Sequence, residues 1–167
     1  MSGSISRIPS ASEPSGQELI ERARALVPNL RARAAKADID RRISDETMQE
    51  LMDAQLFRIV GPRRFGGFEA GFPTMVEVGT ELGRGCGSTA WLYSLLCNHH
   101  WILGHFPIEA QQEVYANTQH AFFPQTVSGK GGSAKAVDGG YVISGQWAFA
   151  TGIDFSDWVS GTATVDK

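Results

Sequence analysis

The spacing of apolar residues changes once along this chain, near residue 118, and that change limits what the chain can fold into. Before it, apolar positions recur every three or four residues, the spacing of one helical face. After it they alternate, as along a strand. Helices first and strands afterwards give an α+β fold. The 167 residues suit one domain or slightly more, since domains commonly run to about 100–200 residues.

Over Gln17 to Ala37, the residues Leu19, Ala23, Leu26, Val27, Leu30 and Ala34 share one helical face. Pro28, inside it, is expected to kink or split the helix. In "ISDETMQELMDAQLF", Ser44 is placed as an N-cap, Asp45 and Glu46 suit the positive helix end, and Ile43 and Met48 form a hydrophobic staple. Met48, Leu51, Met52 and Leu56 make the buried stripe. The glycine- and proline-rich "GPRRFGGFEAG" is a loop. Pro73 opens the next helix, with Met75, Val76, Gly79 and Leu82 inward, and "GRGCGS" breaks it. Ser88 is expected to cap "STAWLYSLLCNHHWILGHF", which is apolar nearly all round and therefore central. Pro107 starts a short last helix through Tyr115.

Beyond residue 118, "HAFFPQTV" reads as a strand. "SAKAVDGGYVISGQWAFA" reads as two strands turned at Asp138-Gly139-Gly140, with Trp147 and Phe149 on one face. "DWVSGTATV" adds one more. About four antiparallel strands leave two tryptophans and several phenylalanines wanting cover, so the sheet reads as unfinished.

A composition 42% hydrophobic and 20% charged belongs to a globular protein with a real core. The net charge of −3 gives no electrostatic reason for a nucleic-acid or anionic-membrane partner. No apolar run approaches the roughly 18–20 residues of a membrane span. Residues 1–16 lack the apolar centre of a secretory signal and read as a disordered lead-in, with a cytoplasmic location expected. Cys86 and Cys97, at C-x10-C spacing in an apolar stretch, read as buried free thiols. His99, His100, His105 and His120 form no recognised metal spacing, and no metal is expected.

Two places could carry chemistry. Trp91 and His99, eight residues apart on the long helix, are separated by about 12 Å along it and about 80° around it, so both can border one cavity. Periodicity alone favours the plainer reading, a core aromatic and a satisfied interior histidine. Thr151, followed by Gly152, can meet the edge of a planar ligand while Phe149 covers its face. Pattern alone equally describes a Thr-Gly turn beside a packed Phe. "GKGGSAK" lacks the Walker or dinucleotide spacing, and Asp154 and Asp157 read as solvated turn residues.

The helical portion followed by "DGGYVISGQWAFATG" resembles the start of the acyl-CoA dehydrogenase fold. In that family a strand carrying aromatic-x-Thr/Ser presents its hydroxyl to a flavin ring, which Phe149 and Thr151 match. "CGSTAWLYSLLCNHHW" and "ISDETMQELMDAQLFRIVGPRRFGGFEA" resemble one branch, the oxygenase components of two-component flavin monooxygenases acting on phenols such as hydroxyphenylacetate or secosteroid phenols. There a tryptophan and a histidine eight residues later border the active site, as Trp91 and His99 would. The resemblance implies a helical N-terminal domain over residues 17–118 and the beginning of an antiparallel β-barrel domain over 119–167. The resemblance also implies a C-terminal helical bundle that has no counterpart here, so the chain is expected to be the N-terminal piece of a protein more than twice as long, or a truncated gene product. The implied cofactor is reduced FMN or FAD from a separate flavin reductase, and the implied assembly a homotetramer. Thr151 would bond the flavin N5 edge, His99 would orient the phenol and take its proton, Trp91 would wall the cavity, and Ser128 would make a flavin or substrate contact. Two alternatives stand: an FAD-dependent acyl-CoA dehydrogenase, or a non-catalytic fragment. "PQTVSGKGGSAK" lacks the Thr-Glu-Pro and Gly-Ser-Asp signature of the dehydrogenases, which favours the oxygenase.

Overall fold

A computed structural model describes residues 13–116, 118, 120–126 and 131–165. Most of the expected lead-in lies outside the described residues, and so does Ser128. Helix α1, Gly16–Asp40, begins at a capping box. The Ser15 hydroxyl accepts from the Glu18 N–H, and the Glu18 carboxylate accepts from the Ser15 N–H. The helix then runs unbroken through Pro28, which corrects the expected split. Pro28 is exposed, so its ring crowds the solvent side, where the carbonyl it leaves unbonded can meet water. Leu19, Ala23 and Leu30 are buried on the other side, where α1 packs on α3 (Phe72–Gly85).

Helix α2, Asp45–Asp53, is capped as expected: the Ser44 hydroxyl accepts from the Thr47 N–H at 3.1 Å. Ile43 and Met48 are both buried beside the cap, as a staple requires. Arg33 of α1 grips Glu50 of α2 through two bonds of 2.7 and 3.1 Å. That bidentate pair joins the helices and holds the Glu50 carboxyl below its usual range. On α3 the buried row is Met75, Val78 and Leu82, whereas Val76 is 59% exposed. Val76 follows Met75 directly and is turned about 100° from it, out of the packed face.

Helix α4, Gly87–Leu103, follows α3 at once. Cys86 alone separates them, with extended dihedrals (φ −154°, ψ 117°), and so it occupies the N-cap position expected for Ser88. Leu92, Tyr93, Leu96, Cys97, His99 and His100 are all buried, which makes α4 the centre of the helical part. Both cysteines are free and buried, and burial pushes the Cys97 thiol up to about 12. Helix α5, Ile108–Val114, starts after Pro107.

The strands are short: β1 Gln125–Thr126, β2 Gly132–Val137, β3 Gly140–Ser144, β4 Ser160–Gly161 and β5 Ala163–Val165. Asp138 and Gly139 turn the antiparallel β2–β3 hairpin, with Val137 opposite Gly140. The other two pairings, β2 with β5 and β1 with β4, are parallel, contrary to the expected antiparallel sheet. The cause is the long excursion after β3, which brings the chain back beside β2 in the same direction. The described residues form two small sheets, ordered β3-β2-β5 and β1-β4, and no closed barrel. The α+β class stands.

Two expected strand segments are not strands. Ala121, Phe122 and Phe123 are consecutively buried, with no ladder partner, and Phe122 joins the helical core. Packing on helices, and not pairing with a strand, covers them. The chain also leaves the sheet after Ser144, so Trp147 and Phe149 do not alternate on one strand face. A Cβ on Gly132 would stand 2.5 Å from the Trp147 ring, so only a bare glycine lets that indole fold over the sheet. Its N–H donates to the Thr162 carbonyl at 2.8 Å. Phe149 instead takes a left-handed φ of 62° and is 90% exposed.

Candidate functional site

Trp91 projects from the outer flank of α4, 64% exposed, onto a cleft of about 580 Å³. Arg41 and Ser88 line it together with Thr151, Gly152 and Asp154. The Thr151 turn is held against α4 by close packing. Gly152 has φ 91°, and a Cβ there would meet the Leu96 side chain at 2.9 Å. Arg42 completes one wall, its guanidinium 4.6 Å from the centre of the Phe155 ring and paired with Asp45. An exposed indole and a hydroxyl in one cleft, with two arginines and two aspartates around them, suit a planar aromatic ligand with polar edges.

The structure therefore brings Trp91 and Thr151 together. Phe149 stands two residues from Thr151, exposed, but does not line the cleft. His99 does not line it either. Its ring is only 5% exposed and lies 5.6 Å from that of Phe123, with Nδ1 buried and unpartnered. Burial lowers its pKa, so the imidazole is neutral at pH 7.

Sequence reasoning gave Arg41 no role and Ser88 only that of a helix cap. Arg41 ends α1 in the left-handed region (φ 56°), where glycine or asparagine would have signalled the turn. The buried partner of His100 was also invisible. His100 Nδ1 lies 2.8 Å from the Tyr115 hydroxyl, and Tyr115 stacks on Phe65 at 4.6 Å. Complete burial pushes the His100 pKa down to about 3, and His120 is lowered by burial as well.

Comparison with known proteins agrees with this architecture. The description "acyl-CoA dehydrogenase, N-terminal domain" matches residues 13–118. The chain is 33% identical over 139 residues to the flavin-dependent monooxygenase, oxygenase subunit HsaA, of Rhodococcus jostii (strain RHA1), covering 83% of this chain and 36% of that protein. It is 36% identical over 140 residues to the FADH2-dependent resorcinol hydroxylase, oxygenase component, of Rhizobium sp. (strain MTP-10005), covering 84% and 34%. The crystal structure of 3-HSA hydroxylase from Rhodococcus sp. RHA1 superposes with a TM-score of 0.86 at 33% identity, over 90% of this chain and 38% of that one. The chain thus spans little more than a third of the length of these curated relatives. The five helices and the match across residues 13–118 make this chain a member of the acyl-CoA dehydrogenase N-terminal domain family.

Proposed function

We propose that this chain belongs to the oxygenase component of a two-component flavin-dependent monooxygenase, which hydroxylates a phenolic substrate with O2 and reduced FMN or FAD supplied by a separate flavin reductase. The observation that carries the reading is the meeting of Trp91 and Thr151 at one cleft, in a chain whose relatives are named as flavin-dependent oxygenase components. Reduced flavin, when bound, supplies the electrons that activate O2. The residues of this chain do the rest. The Thr151 hydroxyl would bond the N5 edge of the ring and Trp91 would wall the space beside it and keep water out, while Phe149, exposed outside the cleft, would cover a ring face by turning toward it. His99, held neutral by burial, orients the phenol and accepts its proton, which makes the aromatic ring more nucleophilic. In this reading residues 17–118 are the helical domain, residues 119–167 are part of a middle β domain, and the whole enzyme is a cytoplasmic homotetramer.

Anaerobic calorimetry tests the reading. The full-length protein is titrated with FMN and FAD, each reduced and oxidised. Tighter binding of a reduced flavin is the expected result. Heat from neither flavin in either state would overturn the proposal and return the chain to a non-catalytic role.

A further inference from the structure

A second cleft, of about 330 Å³, shares no lining residue with the first. Two aromatic rings meet in it. Phe72, the first residue of α3, and Trp101, near the end of α4, lie edge to face, with centroids 5.2 Å apart and planes at 74°. His105 packs on the same indole at 4.4 Å, its Nδ1 2.9 Å from the Trp101 carbonyl oxygen. Both rings remain open to solvent, Phe72 at 37% and Trp101 at 44%.

The wall facing these rings comes from the loop before α3. Glu69 (φ 48°) and Gly71 (φ 86°) both hold left-handed dihedrals there, and for Glu69 that is a strained conformation. Its carboxylate is already used: Oε1 accepts from the Arg63 N–H at 2.9 Å and Oε2 from Arg63 Nη1 at 3.1 Å. Arg64, the next residue, also lines the cleft and makes no ion pair with any described residue. Of the two charged side chains lining the cleft, the carboxylate is tied to Arg63, which it shares with Glu13, and the guanidinium has no ion-pair partner among the described residues.

We propose that this second cleft binds a small aromatic carboxylate, its ring in the corner between Phe72 and Trp101 and its carboxylate on Arg64. Two perpendicular rings offer an incoming arene one face and one edge, the two arrangements aromatic pairs favour. A guanidinium takes a carboxylate through two parallel bonds, a geometry no neutral group copies. The volume lies at the small end of the roughly 300–1,000 Å³ usual for ligand pockets, which suits a single-ring ligand and not a flavin. Such a site goes beyond the oxygenase reading and uses none of the residues assigned there. The two readings can therefore fail separately.

The test is a titration of the ¹⁵N-labelled chain with sodium benzoate, benzyl alcohol and sodium acetate, followed at the indole N–H signals of its four tryptophans. Trp101→Phe assigns the Trp101 signal. Benzoate is expected to shift that signal saturably and to leave the Trp91 signal in place, with benzyl alcohol and acetate binding far more weakly. Arg64→Gln should weaken benzoate about tenfold or more, the scale of a lost hydrogen bond to a charged group. Arg64 is exposed, and an unchanged remainder of the spectrum verifies the fold of that variant. No saturable shift at Trp101, equal binding of benzyl alcohol, or benzoate binding untouched by Arg64→Gln would each overturn the proposal.

Discussion

Trp91 and Thr151 share a cleft across a long stretch of chain, whereas His99, on the same helix as Trp91, points into the interior. Eight residues turn a helix by about 80°, which is enough to carry a side chain from an open flank to a packed one. Thr151→Val in the full-length protein should fold normally, since the two side chains are close in volume. It should lose roughly 0.5–1.5 kcal/mol of flavin binding, the worth of one hydrogen bond. Stopped-flow absorbance and peroxide assays check this: more H2O2 per turnover supports the contact, and unchanged coupling returns Thr151 to a turn residue. His99→Ala should slow hydroxylation by about 10²–10⁴-fold, the usual scale for a lost general base, while flavin binding persists. His99→Asn should bind the phenol better than the alanine variant yet stay slow. A purely structural histidine gives the opposite pattern, lower melting temperatures with normal coupling. The residue types at these positions were legible in the sequence. Their grouping came only through the family resemblance and not from the residue pattern, because it depends on Gly152 seating against Leu96, a contact that no local pattern encodes.

Among the elements, α1 offers the clearest test, because it continues through an exposed proline. Pro28→Ala should restore one backbone bond and stabilise the chain by about 1–3 kcal/mol in urea denaturation. A neutral or destabilising result would mean that the helix is broken there. Ser44→Ala should cost about 1 kcal/mol, since the Thr47 N–H loses its acceptor and water is an inferior substitute. The helices were legible because each carries a local period, joined at Ser44 and Pro73 by a start signal. The hairpin was legible for the same reason, from Asp138-Gly139. The other two strand segments, 120–127 and 157–165, were legible as strands, but their short extent and their pairing were not. β1, β4 and β5 are two or three residues long and pair in parallel with partners far along the chain, and no local pattern encodes which partner or direction each takes. The aromatic run after Gly145 misled for another reason. Trp147 is fixed by the bare Gly132 and by Thr162, contacts that override the strand pattern of its own segment.

At the scale of the molecule, two interior histidines and the half-buried His120 link folding to pH. Burial lowers the pKa of His99, His100 and His120, that of His100 to about 3 from an ordinary 6.5. Between those values the unfolded chain binds protons that the folded chain refuses. Stability is therefore full above pH 6.5 and falls as the pH drops toward 3. His100 alone should remove about 2 kcal/mol between pH 6.5 and 5, at 1.36 kcal/mol per unit. Urea midpoints at pH 7 and pH 5 read this directly, and equal midpoints would show that the imidazole is solvated. The β2–β3 hairpin leaves Tyr141, Val142 and Ile143 more than half exposed, and the chain spans little more than a third of the relatives it matches. The central claim is thus tested on the full-length protein, supplied with reduced FMN or FAD, ¹⁸O2 and a panel of phenols that includes resorcinol. Mass spectrometry of the products should find one ¹⁸O atom added to a phenolic ring. Reduced flavin oxidised to give only H2O2 with every phenol, or product oxygen drawn from water, would contradict the account.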